Sequence, residues 1–185
     1  AGGMRFFSTA PGANHPINNS GASPNTSITV TATSFPISVG GGGAGVGPGN
    51  APAGFAGAGV ASTFSTVTSA GGGRGGAYNS GGSCTQIAGP GGSGGGHRRG
   101  ASNPTAAATG NNPPVSPPQG NPGGIYAIPQ SNASSGGGGA GAPGTPITSQ
   151  VVAPGGIGAY IANPFIGSTA PSYGTSGPES NTRYF

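Results

Sequence analysis

The sequence predicts a non-helical fold in which β-strands and glycine-rich polyproline II segments pack with irregular loops and are stabilised by oligomerisation. The first observation is the presence of 44 glycines and 20 prolines among 185 residues. These residues oppose helices, since glycine costs about 1 kcal/mol and proline about 3 kcal/mol in a helix interior. The second is the scarcity of large apolar side chains, with seven phenylalanines, five tyrosines and no tryptophan. Their burial, at roughly 1.5–3 kcal/mol each, cannot offset the backbone entropy lost on folding, so we expect a homo-oligomer.

Two segments have the alternating, β-branched pattern of strands. The first covers 26–33 and continues over 35–39, and the second covers 61–69. The Gly/Ala/Pro stretch 40–59 joins them, so we expect a β-hairpin or two sheet strands linked by a glycine loop. Weaker strand patterns lie at 147–153 and 157–166.

Clustered glycines make up much of the remaining chain, in tracts at 40–43, 71–76, 91–96 and 136–139. Collagen needs glycine at every third position, and these tracts do not keep that period. The tracts can be flexible linkers, or they can be polyproline II helices packed side by side. An isolated polyproline II helix has no internal hydrogen bonds, so lateral packing is what satisfies its N–H and C=O groups. We favour the packed arrangement.

The composition also divides the chain. An Asn/Ser/Thr-rich N-terminal segment, 1–34, leads into a strand, and a glycine-rich domain covers 35–185. Within that domain, 113–118 is predicted to be a rigid, extended proline-rich segment.

Chemically active side chains are too few for an enzyme site. Glu179 is the sole carboxylate side chain and His15 and His97 are the sole imidazoles, so paired carboxylates are excluded and no Ser–His–acid triad is indicated. Cys84 is the lone cysteine, which excludes an intrachain disulfide, and it has no metal-ligand spacing to the histidines. We therefore expect no catalysis, no cofactor and no metal.

Basic residues occur mainly in two places, at Arg74 and at His97-Arg98-Arg99. An arginine between glycines, followed by Tyr78, is similar to RNA-binding Arg-Gly-Gly segments, but those repeat many times. The tract 71–76 also lacks the lysine and the following helix of a phosphate-binding loop. We expect no nucleic acid partner. No run of about 18 apolar residues occurs, so no membrane span is predicted either.

Four pieces of the sequence follow one another in an order that a known group of proteins shares. They are Phe35-Pro-Ile-Ser-Val-Gly-Gly-Gly-Gly-Ala-Gly45, the strand-to-glycine piece 62–73, the proline-rich piece 109–124, and 170–178 with Arg183-Tyr-Phe185. Together they resemble the glycine-rich domains of bacteriophage tail-fibre and related virion proteins, particularly those of marine phages, over about 35–185. The proline-rich piece is the most specific, because low complexity does not readily produce it.

The resemblance implies a structural protein of the virion surface, extracellular in location, that belongs to a tail fibre or spike. Its glycine-rich part would be a rigid adhesin scaffold whose loops touch a bacterial receptor or glycan. Residues that interrupt the glycine scaffold are then candidate receptor contacts, although we favour a packing or solvated role for each of them. These candidates are Arg74, Tyr78, His97, Arg98 and Arg99.

Two other functions fit the same composition. One is a self-assembling extracellular filament protein whose function is homopolymerisation. The other, with less support, is an ice-binding polyproline II protein, for which the chain lacks a regular triplet repeat.

Overall fold

The fold was obtained as a computed structural model. It describes residues 2–6, 28–45, 56–78, 84–98, 106–127, 133–148, 153–162, 174–176 and 182–184. These ranges contain no α-helix, and therefore no helix that could cross a membrane. Their paired strands form small antiparallel sheets. The prediction of a non-helical fold is confirmed.

Short strands lie outside the glycine tracts. They are β1 (Ile37–Ser38), β2 (Ser62–Phe64), β3 (Val67–Ser69), β4 (Ala77–Tyr78), β5 (Cys84–Gln86), β6 (Tyr160–Ala162), β7 (Thr175–Ser176) and β8 (Thr182–Tyr184). The sheets have the orders β1-β2-β3, β4-β5 and β6-β8-β7. All strand pairs in them are antiparallel.

The first sheet follows the predicted hairpin, with one difference. β1 pairs with β2 across the glycine connection, and Phe35 stacks on Phe64 with ring centroids 5.9 Å apart. The predicted single strand at 61–69 is instead a second hairpin, because Ser65 has a φ of 52° and reverses the chain between β2 and β3. The alternation of apolar and polar side chains continues through both strands, so it does not reveal the turn between them.

The other strand predictions agree only in part. Residues 28–33 form no strand, and 26–27 lie outside the described residues. In the weaker segment 147–153, Ile147 forms an isolated bridge with Tyr126, while 149–152 are not described. The segment 157–166 contains β6, and 163–166 are not described.

Most of the described chain is a set of glycine-containing segments bonded side by side, which we call the glycine bundle. It consists of 40–45, 56–60, 70–76, 87–97, 106–111, 119–126, 133–148 and 153–159. Bends at 91–93 and 140–142 fold two of these segments into hairpins.

Hydrogen bonds between neighbouring segments recur every third residue. Gly89 N–H donates to the Arg74 carbonyl and Gly92 N–H to the Gly71 carbonyl, each at 2.8 Å, as the chain runs antiparallel. The same three-residue spacing separates two further bonds, from Gly124 N–H to Gly136 O (2.8 Å) and from Asn121 N–H to Gly139 O (3.1 Å). A β-ladder would repeat every second residue, so these contacts are not those of a sheet.

Segments inside the bundle have neighbours on several sides. Gly94 donates to Asn121 O at 3.0 Å and accepts from Gly138 N at 2.8 Å, so it bonds to two segments at once. A Cβ at Gly94 would overlap the carbonyl oxygen of Ala108, which belongs to a third segment. Only glycine fits a position surrounded this closely by backbone.

Apolar clusters at the two ends of the bundle are small. One contains Ala140 and Ala159, against which Met4 and Phe6 pack. The other is described next to the site below. Gly3 N–H donates to Ala70 O and Met4 N–H to Gln119 O, both at 2.7 Å, so the chain at 3–4 is bonded to the glycine bundle.

The proline-rich segment is bent rather than extended. The chain bends at 110–113 and at 116–117, and Asn111, with a φ of 51°, lies at its start. The Asn111 amide donates to Val115 O and accepts from Val115 N, both at 3.1 Å. The Asn111 side chain therefore closes 111–115 into a loop.

Candidate functional site

Many of the bundle segments begin or end at one end of the bundle, which we call the connection end. Because successive segments run in opposite directions, the described chain leaves or enters the bundle there at residues 45, 56, 76, 87, 97, 106, 126, 133, 148 and 153. The opposite end, the turn end, has the bends at 91–93 and 140–142 and the first residues of the segment 70–76. The first sheet lies beyond the turn end, since β3 runs directly into Ala70.

Parallel packing of two segments brings the sequence-predicted contact residues to the connection end. Gly73 N–H donates to Ser93 O at 2.9 Å, and Gly76 N–H donates to Gly96 O at 3.0 Å. The segments that precede β4 and His97-Arg98 therefore run side by side and bring these residues to the same end of the bundle, although they are separated in sequence.

A small cluster lies at this end, at the ends of the segments 119–126 and 133–148. It contains Tyr126, Ala133 and Ile147, which are 3%, 3% and 0% exposed. Ala127 N–H donates to Ile147 O at 3.3 Å. The cluster gives the connection end a fixed base of apolar side chains.

His97 is part of the packed interior. It is 3% exposed, its N–H donates to Ser135 Oγ at 2.8 Å, and its carbonyl accepts from Ser135 N at 2.9 Å. Its Nε2 is buried and has no hydrogen-bond partner among the described residues. Burial lowers the pKa of His97, and a backbone hydrogen bond with Ala106 opposes that shift. The imidazole is therefore a packed interior group at the connection end.

This burial predicts that acid destabilises the chain. The folded state holds His97 neutral, so the unfolded state binds more protons below the ordinary pKa of 6.5. The free energy of unfolding is then constant above that pH and falls as pH decreases toward the lowered folded-state pKa. Urea unfolding at a series of pH values should show this fall in the wild type and in His15→Gln, but not in His97→Gln. An unchanged fall in His97→Gln would contradict the assignment.

Arg74 lies across another segment of the bundle. A Cβ at Gly89 would come within 2.7 Å of Arg74 Cγ and 3.1 Å of its Nε, so the side chain passes directly over this glycine. The Nε atom is buried and has no hydrogen-bond partner among the described residues. The residue is half-buried overall, and its stem packs as part of the scaffold.

Of the remaining sequence-predicted residues, Arg98 is exposed and its backbone forms a bridge with Ser134. Tyr78 is the second residue of β4 and pairs with Cys84 across a register irregularity. Arg99 lies outside the described residues. Arg98 is thus the described candidate that combines a charge with an exposed position at the connection end.

Sequence reasoning missed the polar side chains that bond the segments together. Ser135, which is 6% exposed, accepts from His97 N and donates to Gly124 O at 2.7 Å, so it joins three segments. The Asn121 amide donates to Gly139 O at 3.1 Å and Ala140 O at 3.0 Å. The available signal was a Ser or Asn next to a glycine tract, a pattern too common in this chain to single them out.

The described residues contain no group of three or more His, Cys, Asp or Glu side chains placed to hold a metal ion. Comparisons of the chain with protein-family models, with curated proteins and with solved structures found no match.

Proposed function

We propose that the bundle segments are polyproline II helices packed laterally into a rigid scaffold. A polyproline II helix has three residues per turn, and its backbone groups point outward, free to bond to neighbours. The three-residue recurrence of the hydrogen bonds matches this period in antiparallel and parallel pairs alike. The overlap that a Cβ would create at many of the glycines accounts for the glycine content.

We further propose that the chain is a structural protein of a virion surface, a component of a bacteriophage tail fibre or spike, and that it binds a receptor on the host cell. The observation that carries this proposal is that the described segment ends that flank five intervening stretches lie together at the connection end. Five connections therefore start and finish at this end of the bundle, and by sequence they are 46–55, 79–83, 99–105, 128–132 and 149–152. A scaffold fixed by backbone bonds can vary such connections without disturbing its own packing, as an adhesin requires.

Arg98 and Arg99 provide the first test of receptor binding. Arg98 is exposed where the segment 87–97 leaves the bundle, and Arg99 follows it in the sequence. Changing both to serine should reduce the binding of the labelled, purified chain to susceptible bacterial cells by at least about tenfold, equivalent to about 1.4 kcal/mol. Arg5→Ser, at the turn end, is the matched control and should bind like the wild type. Unchanged binding of the double variant would remove these arginines from the contact surface.

An extracellular filament protein is the second candidate. It is favoured by the exposure of large apolar side chains, among them Ile37 (70%), Val39 (84%) and Val60 (63%). Electron microscopy distinguishes the candidates: a closed fibre or spike attached to a virion supports the first function, and an open polymer of indefinite length supports the second.

A further inference from the structure

The residues from β1 to Gly45 form one continuous edge of the part of the chain that the structure describes. β1 is the first strand in the order β1-β2-β3 and has a partner on one side only. The chain continues as the bundle segment 40–45, whose backbone hydrogen bonds to described residues go to one side: Gly41 O accepts from Val60 N at 2.9 Å and Ala44 O from Gly57 N at 2.8 Å. No hydrogen bond within the described part of the chain uses the backbone of Gly42 or Gly45.

The two sides of the segment 40–45 differ in the space around each glycine. Cβ atoms at Gly40 and Gly43, three residues apart, would overlap the carbonyl oxygens of Val60 and Gly57. Cβ atoms at Gly42 and Gly45, also three residues apart, would meet no atom of the described residues within 4 Å. One row of glycines is thus used in packing, and a second row of the same kind faces open space.

The edge lacks the features that usually prevent association. Residues 36–45 contain no charged side chain, and Ile37 and Val39 are 70% and 84% exposed. Unpaired N–H and C=O groups beside exposed apolar side chains are a template for pairing with another chain. The small net charge of +4 offers little repulsion between copies.

We propose that the edge 37–45 is the surface through which two copies of this chain meet, each placing its open glycine row against the same edge of the other. An open glycine row favours a partner whose own backbone can approach closely, and the same edge of a second copy supplies both such a row and unpaired backbone groups. The contact is isologous and yields a dimer. This proposal deepens the assembly part of the proposed function, and it can fail while a tail-fibre role stands, because solution association is measured without the virion.

Sedimentation velocity over a concentration series tests the proposal. The full chain should dimerise, and Gly42→Val and Val39→Arg should each raise the dimer dissociation constant at least about tenfold. Thermal unfolding of both variants should stay close to that of the wild type, because these side chains find open space in the single chain. Matched controls are Gly75→Val, another open glycine, and Ile157→Arg, another exposed apolar residue, and both should still dimerise.

Three results would overturn the proposal. The wild type could remain monomeric throughout the series. The edge variants could dimerise as tightly as the wild type. Alternatively, Gly42→Val could unfold while Gly75→Val does not, which would show that another part of the same chain covers the row.

Discussion

Replacing Gly123 with alanine is expected to destabilise the glycine bundle by about 2–4 kcal/mol, the sum of overpacking and a weakened hydrogen bond. The added Cβ would overlap the carbonyl oxygen of Gly95 and lie 2.8 Å from its carbonyl carbon. Both are backbone atoms, so no flexible side chain can move aside. Relief requires the two segments to separate, which strains the bond from Gly123 N–H to Ala108 O at 2.9 Å.

Gly137→Ala is the matched control for this change. Its Cβ would lie 3.6 Å from Gly94 O and Gly96 N, an ordinary contact distance. The alanine also restricts the unfolded chain, so stability should be unchanged or raised by about 0.4–1 kcal/mol. Urea unfolding of the two variants beside the wild type measures the difference. Equal stabilities for Gly123→Ala and Gly137→Ala would show that backbone proximity does not determine where glycine is needed.

The second large effect is expected at Gln119, which is 1% exposed. Its Oε1 accepts from Ala70 N at 2.8 Å, and its Nε2 donates to Pro113 O at 2.9 Å. Gln119→Met keeps most of the side-chain volume but leaves these two backbone groups without their partner. An unsatisfied buried group costs about 1–3 kcal/mol, so we expect a loss of about 2–5 kcal/mol.

Thr109→Ala, at an exposed bundle position, serves as the control for the glutamine variant and should change stability by less than about 0.5 kcal/mol. The location of the effect is also predicted. Hydrogen exchange should quicken first at Ala70 and at Gly3, whose N–H donates to Ala70 O. A Gln119→Met variant as stable as the wild type would mean that water replaces both bonds.

The non-helical fold could be predicted from sequence because glycine and proline oppose helix formation through their own backbone properties. The partners of each glycine segment could not be predicted. A strand shows its register through alternating side chains, whereas the segment 91–96 has almost no side chains to carry such information. Its contacts depend on scattered amides and hydroxyls, such as those of Asn121 and Ser135, that stand among many similar residues.

The sequence likewise indicated only part of the candidate site. His97-Arg98 interrupts the glycine sequence where the segment 87–97 reaches the connection end. Composition could not separate the two residues, yet His97 is buried against Ser135 while Arg98 is exposed. Burial at this position depends on the 133–148 segment, which is distant in sequence and shows no apolar pattern facing His97.

The most direct test of this account is high-resolution electron microscopy of the native assembly. We predict a closed fibre or spike on a virion, built from laterally packed glycine segments, with the connection end at its exposed tip. An antibody against an epitope tag inserted in the connection 99–105 should label that tip. An open filament of indefinite length, with the connection end covered by the next subunit, would contradict the adhesin function and make polymerisation the role of the chain.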